Sequence, residues 1–141
     1  MEIITNSPEE TYEFGKKMSE QLRGGDILLL NGELGTGKTT LIKGMAAGLG
    51  VKEEITSPTF NLMNHYCTRN HTINRIVHID TYRIKNEQEL KDIGVEDYLC
   101  DPCSICVIEW PEKLIGLLKN KQTFSITLEH LGKNKRKITM I

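Results

Sequence analysis

Gly32-Glu33-Leu34-Gly35-Thr36-Gly37-Lys38-Thr39 matches G-x-x-x-x-G-K-[ST] at every fixed position. Each residue type there answers a demand of holding phosphate. Backbone N–H groups must curl around an anion, which needs glycine where a Cβ would collide or φ is positive. Lys38 supplies an ammonium for the β- and γ-phosphates of a nucleotide, and the Thr39 hydroxyl can ligate Mg²⁺. The run Asp26 to Asn31 in front of the loop is apolar, and Thr39 to Leu49 behind it has the character of a helix ended by Gly50. A buried strand feeding a glycine-rich loop that opens a helix is the context this motif requires, because the helix N-terminus then points at the same anion. The expected ligands are ATP and Mg²⁺.

Such a loop needs an acidic residue near the metal shell, usually at the end of a neighbouring strand. Two strands end that way, Ile105-Cys106-Val107-Ile108-Glu109 and Ile76-Val77-His78-Ile79-Asp80. A solvated charge at a strand end is the plainer reading of either. Glu109 is favoured for the Mg²⁺ side because its strand is the more uniformly apolar, and Asp80 is then the second acidic group, positioning water or metal. The catalytic candidates are thus Lys38, Asp80 and Glu109, and spacing leaves open which carboxylate acts as base.

The elements that must position these groups alternate along the chain. Ser7-Pro8-Glu9-Glu10 is a capping box, followed by Phe14, Met18 and Leu22 at helical spacing until Gly24-Gly25. Phe60 to Tyr66 and Arg75 to Asp80 are predicted strands around a polar turn. Asn86 to Glu89 caps a short helix that Gly94 ends, Ser104 to Glu109 is a third buried strand, and Pro111-Glu112 begins another short helix. Thr123 to His130 and Lys137 to Ile141 form a closing hairpin around Gly132-Lys133-Asn134. The pattern predicts one domain over 1–141, a three-layer α/β P-loop NTPase-like fold with a mixed, mainly parallel central sheet and a C-terminal hairpin.

Composition narrows the function classes. The 141 residues are 38% hydrophobic and carry 18 Lys and Arg against 19 Asp and Glu, for a net charge of −1. That balance supplies no general footprint for nucleic acid, although seven basic residues lie between Lys113 and Lys137. The N-terminus has neither the basic region nor the apolar core of a signal peptide, and Ile27 to Leu30 is too short to span a bilayer. A cytoplasmic chain with reduced thiols and no membrane contact is expected. Cys100, Cys103 and Cys106 have the C-x₂-C-x₂-C spacing of iron–sulfur ligands. No Cys-Pro follows, and Cys106 falls inside a predicted strand, so ordinary thiols are the favoured reading. The four histidines are read as ordinary polar or partly buried residues.

Taken together, several segments resemble one family. The loop with Thr40, Ser57-Pro58-Thr59-Phe60, His78-Ile79-Asp80-Thr81-Tyr82-Arg83, Glu89-Leu90 with Gly94, and Ile108-Glu109-Trp110-Pro111 stand in the order found in TsaE. Ser7-Pro8-Glu9-Glu10-Thr11 also matches, so the resemblance runs from about residue 5 to 138. TsaE is a small bacterial ATPase needed for threonylcarbamoyladenosine formation in tRNA. The resemblance implies that Gly35, Thr36, Gly37, Lys38, Thr39 and Thr40 wrap the phosphates, that Thr39 and Glu109 hold Mg²⁺, and that Asp80 is required for hydrolysis. It places Trp110 beside the nucleotide and Ser7 and Thr11 near the adenine. It makes the loop with Ser57 and Thr59 a switch sensing the γ-phosphate, and Arg136 the first choice for a late nucleotide-side basic residue. It also implies TsaB and TsaD type partners, with tRNA reached only through their complex.

Two other classes share the loop. A kinase of a small acceptor would want a lid rich in arginine, and no Arg-rich insertion is present. A GTP-dependent switch would want Asn-Lys-x-Asp, and neither Asn120-Lys121 nor Asn134-Lys135 is followed by that Asp.

Overall fold

The computed structural model describes residues 1–58 and 62–141. Among them, seven strands form one sheet in the order β1-β7-β6-β2-β5-β4-β3. These are β1 (Glu2–Thr5), β2 (Ile27–Asn31), β3 (Met63–Cys67), β4 (Arg75–Asp80), β5 (Ser104–Glu109), β6 (Phe124–His130) and β7 (Arg136–Met140). The central strands β6, β2, β5 and β4 run parallel, and β1, β7 and β3 attach antiparallel at the edges. The C-terminal hairpin is β6 with β7.

Among the described residues five α-helices accompany the sheet: α1 (Pro8–Met18), α2 (Lys38–Gly48), α3 (Gln88–Asp92), α4 (Val95–Leu99) and α5 (Ile115–Leu118). Alternate residues of each central strand enter opposite cores, as a strand buried on both faces requires. Leu28, Leu30, Ile105 and Val107 pack with Met18, Leu41, Ile42 and Met45 of α1 and α2. Ile27, Cys106 and Ile108 pack with Leu90, Val95, Leu99 and Leu117 of the shorter helices. The result is the three-layer arrangement anticipated from the alternation of elements.

The sequence reading missed β1, whose four residues pair with β7 from Glu2↔Thr139 to Thr5↔Arg136. Its Ile3 and Ile4 are too short a pattern to announce a strand, and its register is fixed by a partner at the far end of the chain. The reading also stopped at Gly94, but the chain continues into α4 after Gly94 turns it at φ 83°. The strand predicted over Phe60 to Tyr66 is β3, shifted toward Cys67, and Phe60 lies outside the described residues. The capping box of α1 forms with a one-residue offset. Ser7 Oγ accepts from the Glu10 N–H at 3.1 Å, while Glu10 accepts from the Asn6 N–H at 2.7 Å.

The crossing of α1 over α2 holds the helix that follows the glycine-rich loop, and it depends on bare backbone. A Cβ at Gly44 would stand 2.1 Å from the Tyr12 carbonyl oxygen, and one at Gly15 would stand 2.4 Å from that of Leu41. Neither neighbour is a flexible side-chain end, so the helices would have to separate. Gly44→Ala is therefore expected to destabilise the fold by about 1–3 kcal/mol, although alanine is by itself the better helix former. Urea unfolding of the variant against the parent chain measures this, and an unchanged midpoint would refute the close crossing.

Candidate functional site

The loop between β2 and α2 is built around left-handed turns, with Gly35 at φ 78° and Gly37 at φ 96°. Gly37 is also the N-cap of α2, and no side chain caps the helix. The N–H groups of Lys38, Thr39 and Thr40 thus open toward a cleft instead of toward protein acceptors, which is the arrangement that receives an anion. Thr36 is buried and its hydroxyl donates to the Glu33 carbonyl at 2.7 Å, so it contributes through its backbone.

The cleft is lined by Leu34, Gly35, Gly37, Lys38, Thr39, Thr40, Ser57, Asp80, Glu109 and Trp110. The sheet places the acidic pair at the carboxyl ends of its strands, where parallel sheets keep their ligand sites. Glu109 lies beside Leu30 of the loop-bearing strand, and Asp80 lies beside Glu109 one strand further out. Both carboxylates favoured from the sequence therefore share the cleft with Lys38 and Thr39, and Glu109 is the nearer to the loop.

Each charged group has a distinct setting. Lys38 is only 6% exposed; its ammonium donates to the Gly32 carbonyl and lies 4.2 Å from the centroid of the Trp110 ring. Burial lowers its pKa, against the raising influence of Glu109, Asp80 and Glu112. Glu109 Oε2 pairs with His78 Nε2 at 2.7 Å, both side chains being buried. Burial raises the pKa of Asp80 and the Glu109 charge adds to the rise, while the Tyr82 N–H, donating to Oδ1 at 3.0 Å, opposes it. Among the described residues no ion pair joins Lys38 to either carboxylate.

The strand ends are locked by Thr81, which was not singled out from the sequence. Its N–H donates to the Glu109 carbonyl at 3.2 Å, and its hydroxyl reaches the carbonyls of Glu109 and Trp110. Trp110 takes φ 59°, a left-handed conformation unfavourable for a bulky residue, and the turn carries its ring over Lys38 and beside Tyr82. His78 was also missed as part of the site. It stands two residues before Asp80, so strand alternation puts the two on one face, and that was the available signal.

A second hollow lies on the other side of the loop, lined by Pro8, Thr11, Gly35, Gly37, Thr40, Asn134 and Arg136. Ser7 is not among these residues, its hydroxyl being spent on the α1 cap. Thr11 is buried and its hydroxyl pairs with that of Thr5 at 2.7 Å. Arg136 points its guanidinium at the loop itself, donating to the carbonyls of Thr36 and Gly35 at 3.1 and 3.2 Å. Ser57 lines the cleft that holds Lys38, Asp80 and Glu109, whereas Thr59 lies outside the described residues.

The three spaced cysteines do not converge. Cys100 is exposed and Cys106 is buried in β5, where burial pushes its thiol up to about 12. Among the described residues no three His, Cys, Asp or Glu side chains are grouped to hold a metal. Among the described residues no helix is long and apolar enough to cross a membrane.

Residues 5–138 match the family described as threonylcarbamoyl adenosine biosynthesis protein TsaE. The chain belongs to the TsaE family. It is 36% identical to the tRNA threonylcarbamoyladenosine biosynthesis protein TsaE of Treponema pallidum, over 99% of each chain. It is 42% identical to that of Haemophilus influenzae, over 84% of this chain and 77% of the relative. The crystal structure of Bacillus subtilis YdiB superposes with a TM-score of 0.74 at 30% identity, covering 99% of this chain and 83% of the other.

The Asp80 setting has a consequence for stability. Its pKa is raised in the folded chain, so folded protein holds the proton to a higher pH than unfolded protein does. This group's contribution therefore falls as pH rises from the unfolded value, about 4, through the raised folded value. Asp80→Asn keeps an acceptor for the Tyr82 N–H and removes the charge. Thermal unfolding should show the variant more stable than the parent at neutral pH, with the gap closing toward about pH 4. A variant less stable at neutral pH would contradict the burial of an uncompensated carboxylate.

Proposed function

We propose that the chain binds ATP and Mg²⁺ in the cleft between the Gly32–Thr39 loop and the ends of β4 and β5, and hydrolyses the ATP in support of tRNA threonylcarbamoyladenosine formation. The carrying observation is that Lys38, Thr39, Asp80 and Glu109 meet in one cleft at the uncapped N-terminus of α2. The whole stretch 1–141 is read as one P-loop ATPase domain working in the cytoplasm.

The residues present suit both ligands. The first-turn N–H groups of α2 and the Lys38 ammonium would hold the β- and γ-phosphates, and an anion there would offset the desolvation that now weakens the Lys38 charge. The Thr39 hydroxyl and the Glu109 carboxylate would hold Mg²⁺, being the hard oxygen donors it prefers. When bound, Mg²⁺ supplies positive charge against the phosphate oxygens. Glu109 suits the metal side because His78 fixes one of its oxygens and its strand adjoins the loop. Asp80 suits the water side because burial raises its pKa, making it a better base than an ordinary aspartate. In the step proposed, water attacks the γ-phosphorus, its proton goes to Asp80, and the bond to the β–γ bridging oxygen breaks to leave ADP. Trp110 roofs Lys38 and limits its access to bulk water.

Partners of the TsaB and TsaD type would receive the result. A net charge of −1 gives this chain little hold on tRNA alone, so nucleotide state would act by changing affinity for the protein pair.

Lys38→Ala should abolish measurable ATP binding or turnover while the fold survives. Asp80→Ala should spare ATP affinity and lower turnover by about 10²–10⁴-fold, and Glu109→Ala should raise the Mg²⁺ concentration needed for binding. Equilibrium titration with single-turnover kinetics tests all three, and reversed phenotypes at Asp80 and Glu109 would exchange their roles. In pull-downs, a TsaB–TsaD pair should distinguish the ADP-loaded chain from one loaded with a non-hydrolysable ATP analogue. Tight binding to tRNA alone, or indifference of the pair to nucleotide, would sink the partner reading.

A further inference from the structure

Arg136 opens β7, held in the sheet by pairing with Thr5 on one side and His130 on the other. Its side chain leaves the hairpin and crosses to the phosphate loop, a hundred residues earlier in sequence. Nε–H donates to the Thr36 carbonyl at 3.1 Å, and Nη2 donates to the Gly35 carbonyl at 3.2 Å. Nη1 donates to the carbonyls of Lys135 and Gly132 at 3.0 and 3.1 Å, with the Lys133 carbonyl at 3.4 Å. The proton on Nε, both on Nη1 and one on Nη2 are thus committed to backbone oxygens. Little of this guanidinium remains to grip a phosphate.

We propose that Arg136 is a positioning residue that holds the phosphate loop in its anion-receiving shape from the outer side, and does not itself bind nucleotide phosphate. The inference rests on the nucleotide-site reading given above. In a trans peptide the C=O and the following N–H point in opposite directions, and no cis peptide bond occurs among the described residues. Fixing the Thr36 carbonyl outward on Arg136 therefore turns the Gly37 N–H the other way. That N–H finds no acceptor among the described residues. Fixing the Gly35 carbonyl likewise turns the Thr36 N–H inward, where it closes the loop on the Glu33 carbonyl at 3.3 Å. Two successive peptide planes are set by one planar fork, which a lysine cannot reproduce. Gly37 sits at φ 96°, and converging N–H dipoles repel one another without an anion between them. A cation on the carbonyl side counters both tendencies before ligand arrives. The loop is then pre-organised, and nucleotide binding need not supply the cost of ordering it.

The experiment compares ATP, ADP and AMP binding to the parent chain, Arg136→Ala and Arg136→Lys, with thermal unfolding of each. A positioning role predicts that ATP and ADP lose affinity by the same factor, at least about tenfold, in both variants. AMP, which has no β-phosphate to seat in the loop, should change by less than about twofold. Free guanidinium at low millimolar concentration should restore part of the ADP affinity of Arg136→Ala and none of that of Arg136→Lys. A merely structural role would lower the unfolding temperature without that pattern, and would overturn the proposal. So would a loss confined to ATP, which means direct γ-phosphate contact, or an equal loss for AMP, which means contact with base or ribose. Arg136→Lys keeps the stem and the charge, so it serves if the alanine variant fails to fold. A parent chain that binds none of the three nucleotides would overturn the underlying site as well, a different result from a parent that binds and variants that match it.

Discussion

The first turn of α2 aims several peptide N–H groups at one point in space, and the surrounding structure is arranged to tolerate that. An uncapped helix N-terminus ordinarily finds water or a side-chain oxygen. Here the glycine-rich turn brings in further N–H groups and the Lys38 ammonium as well. Positive potential accumulates where no protein acceptor is offered. The loop is held from behind, by its carbonyl ends. Lys38 reaches back to the Gly32 carbonyl, the Thr36 hydroxyl closes on that of Glu33, and Arg136 takes those of Gly35 and Thr36. The helix carrying the turn is pinned against α1 where glycines let the backbones meet.

The opposite wall of the cleft has the complementary problem. Asp80 and Glu109 end adjacent parallel strands with registers that set them side by side, and like charges so placed repel. The two are handled differently. Glu109 is tied to buried His78, and the carbonyls of Glu109 and Trp110 are bound by Thr81. Asp80 has one backbone donor and incomplete hydration, so its proton is held more tightly than in water. Two carboxylates in one cleft thereby meet different settings: Glu109 is oriented by a buried partner, and Asp80 is made more basic than an ordinary aspartate by burial. That difference comes from the partners each strand end happens to meet, not from the residues themselves.

What could be read from the sequence follows the same division. The glycine-rich loop between strand and helix was legible because its requirements are local: glycines at the turns, a strand before and a helix after. Asp80 and Glu109 were legible as strand ends, since a buried apolar run that stops at a carboxylate carries its own mark. The His78–Glu109 pair spans 31 residues and depends on strand register, which no local pattern states. Arg136 was singled out as a basic residue near the nucleotide, but its orientation toward loop carbonyls depends on a hairpin docked from the far end of the chain. The strand β1 was invisible for the same reason, because four residues acquire strand identity only through β7. The register of non-local pairs is the information that sequence pattern leaves out.

A buried lysine with a lowered pKa faces a carboxylate with a raised one across a cleft, without an ion pair between them. Both shifts arise from burial, and both mean that the charged form at neutral pH is held at a cost to the fold. If stability alone had shaped this corner, the simplest change would be to let the two groups pair or to replace them with apolar side chains. The sheet register instead keeps them apart, and the strained backbone of Trp110 adds to the cost. Compensation comes from elsewhere, in the two apolar cores and the glycine-mediated crossing of α1 and α2. A bound polyphosphate would take up the loop's unpaired donors and strengthen the Lys38 charge, and a cation beside it would shield the carboxylates. A ligand carrying both signs of charge is the kind that would remove this local cost. That requirement rests on burial and charge alone, independently of family membership.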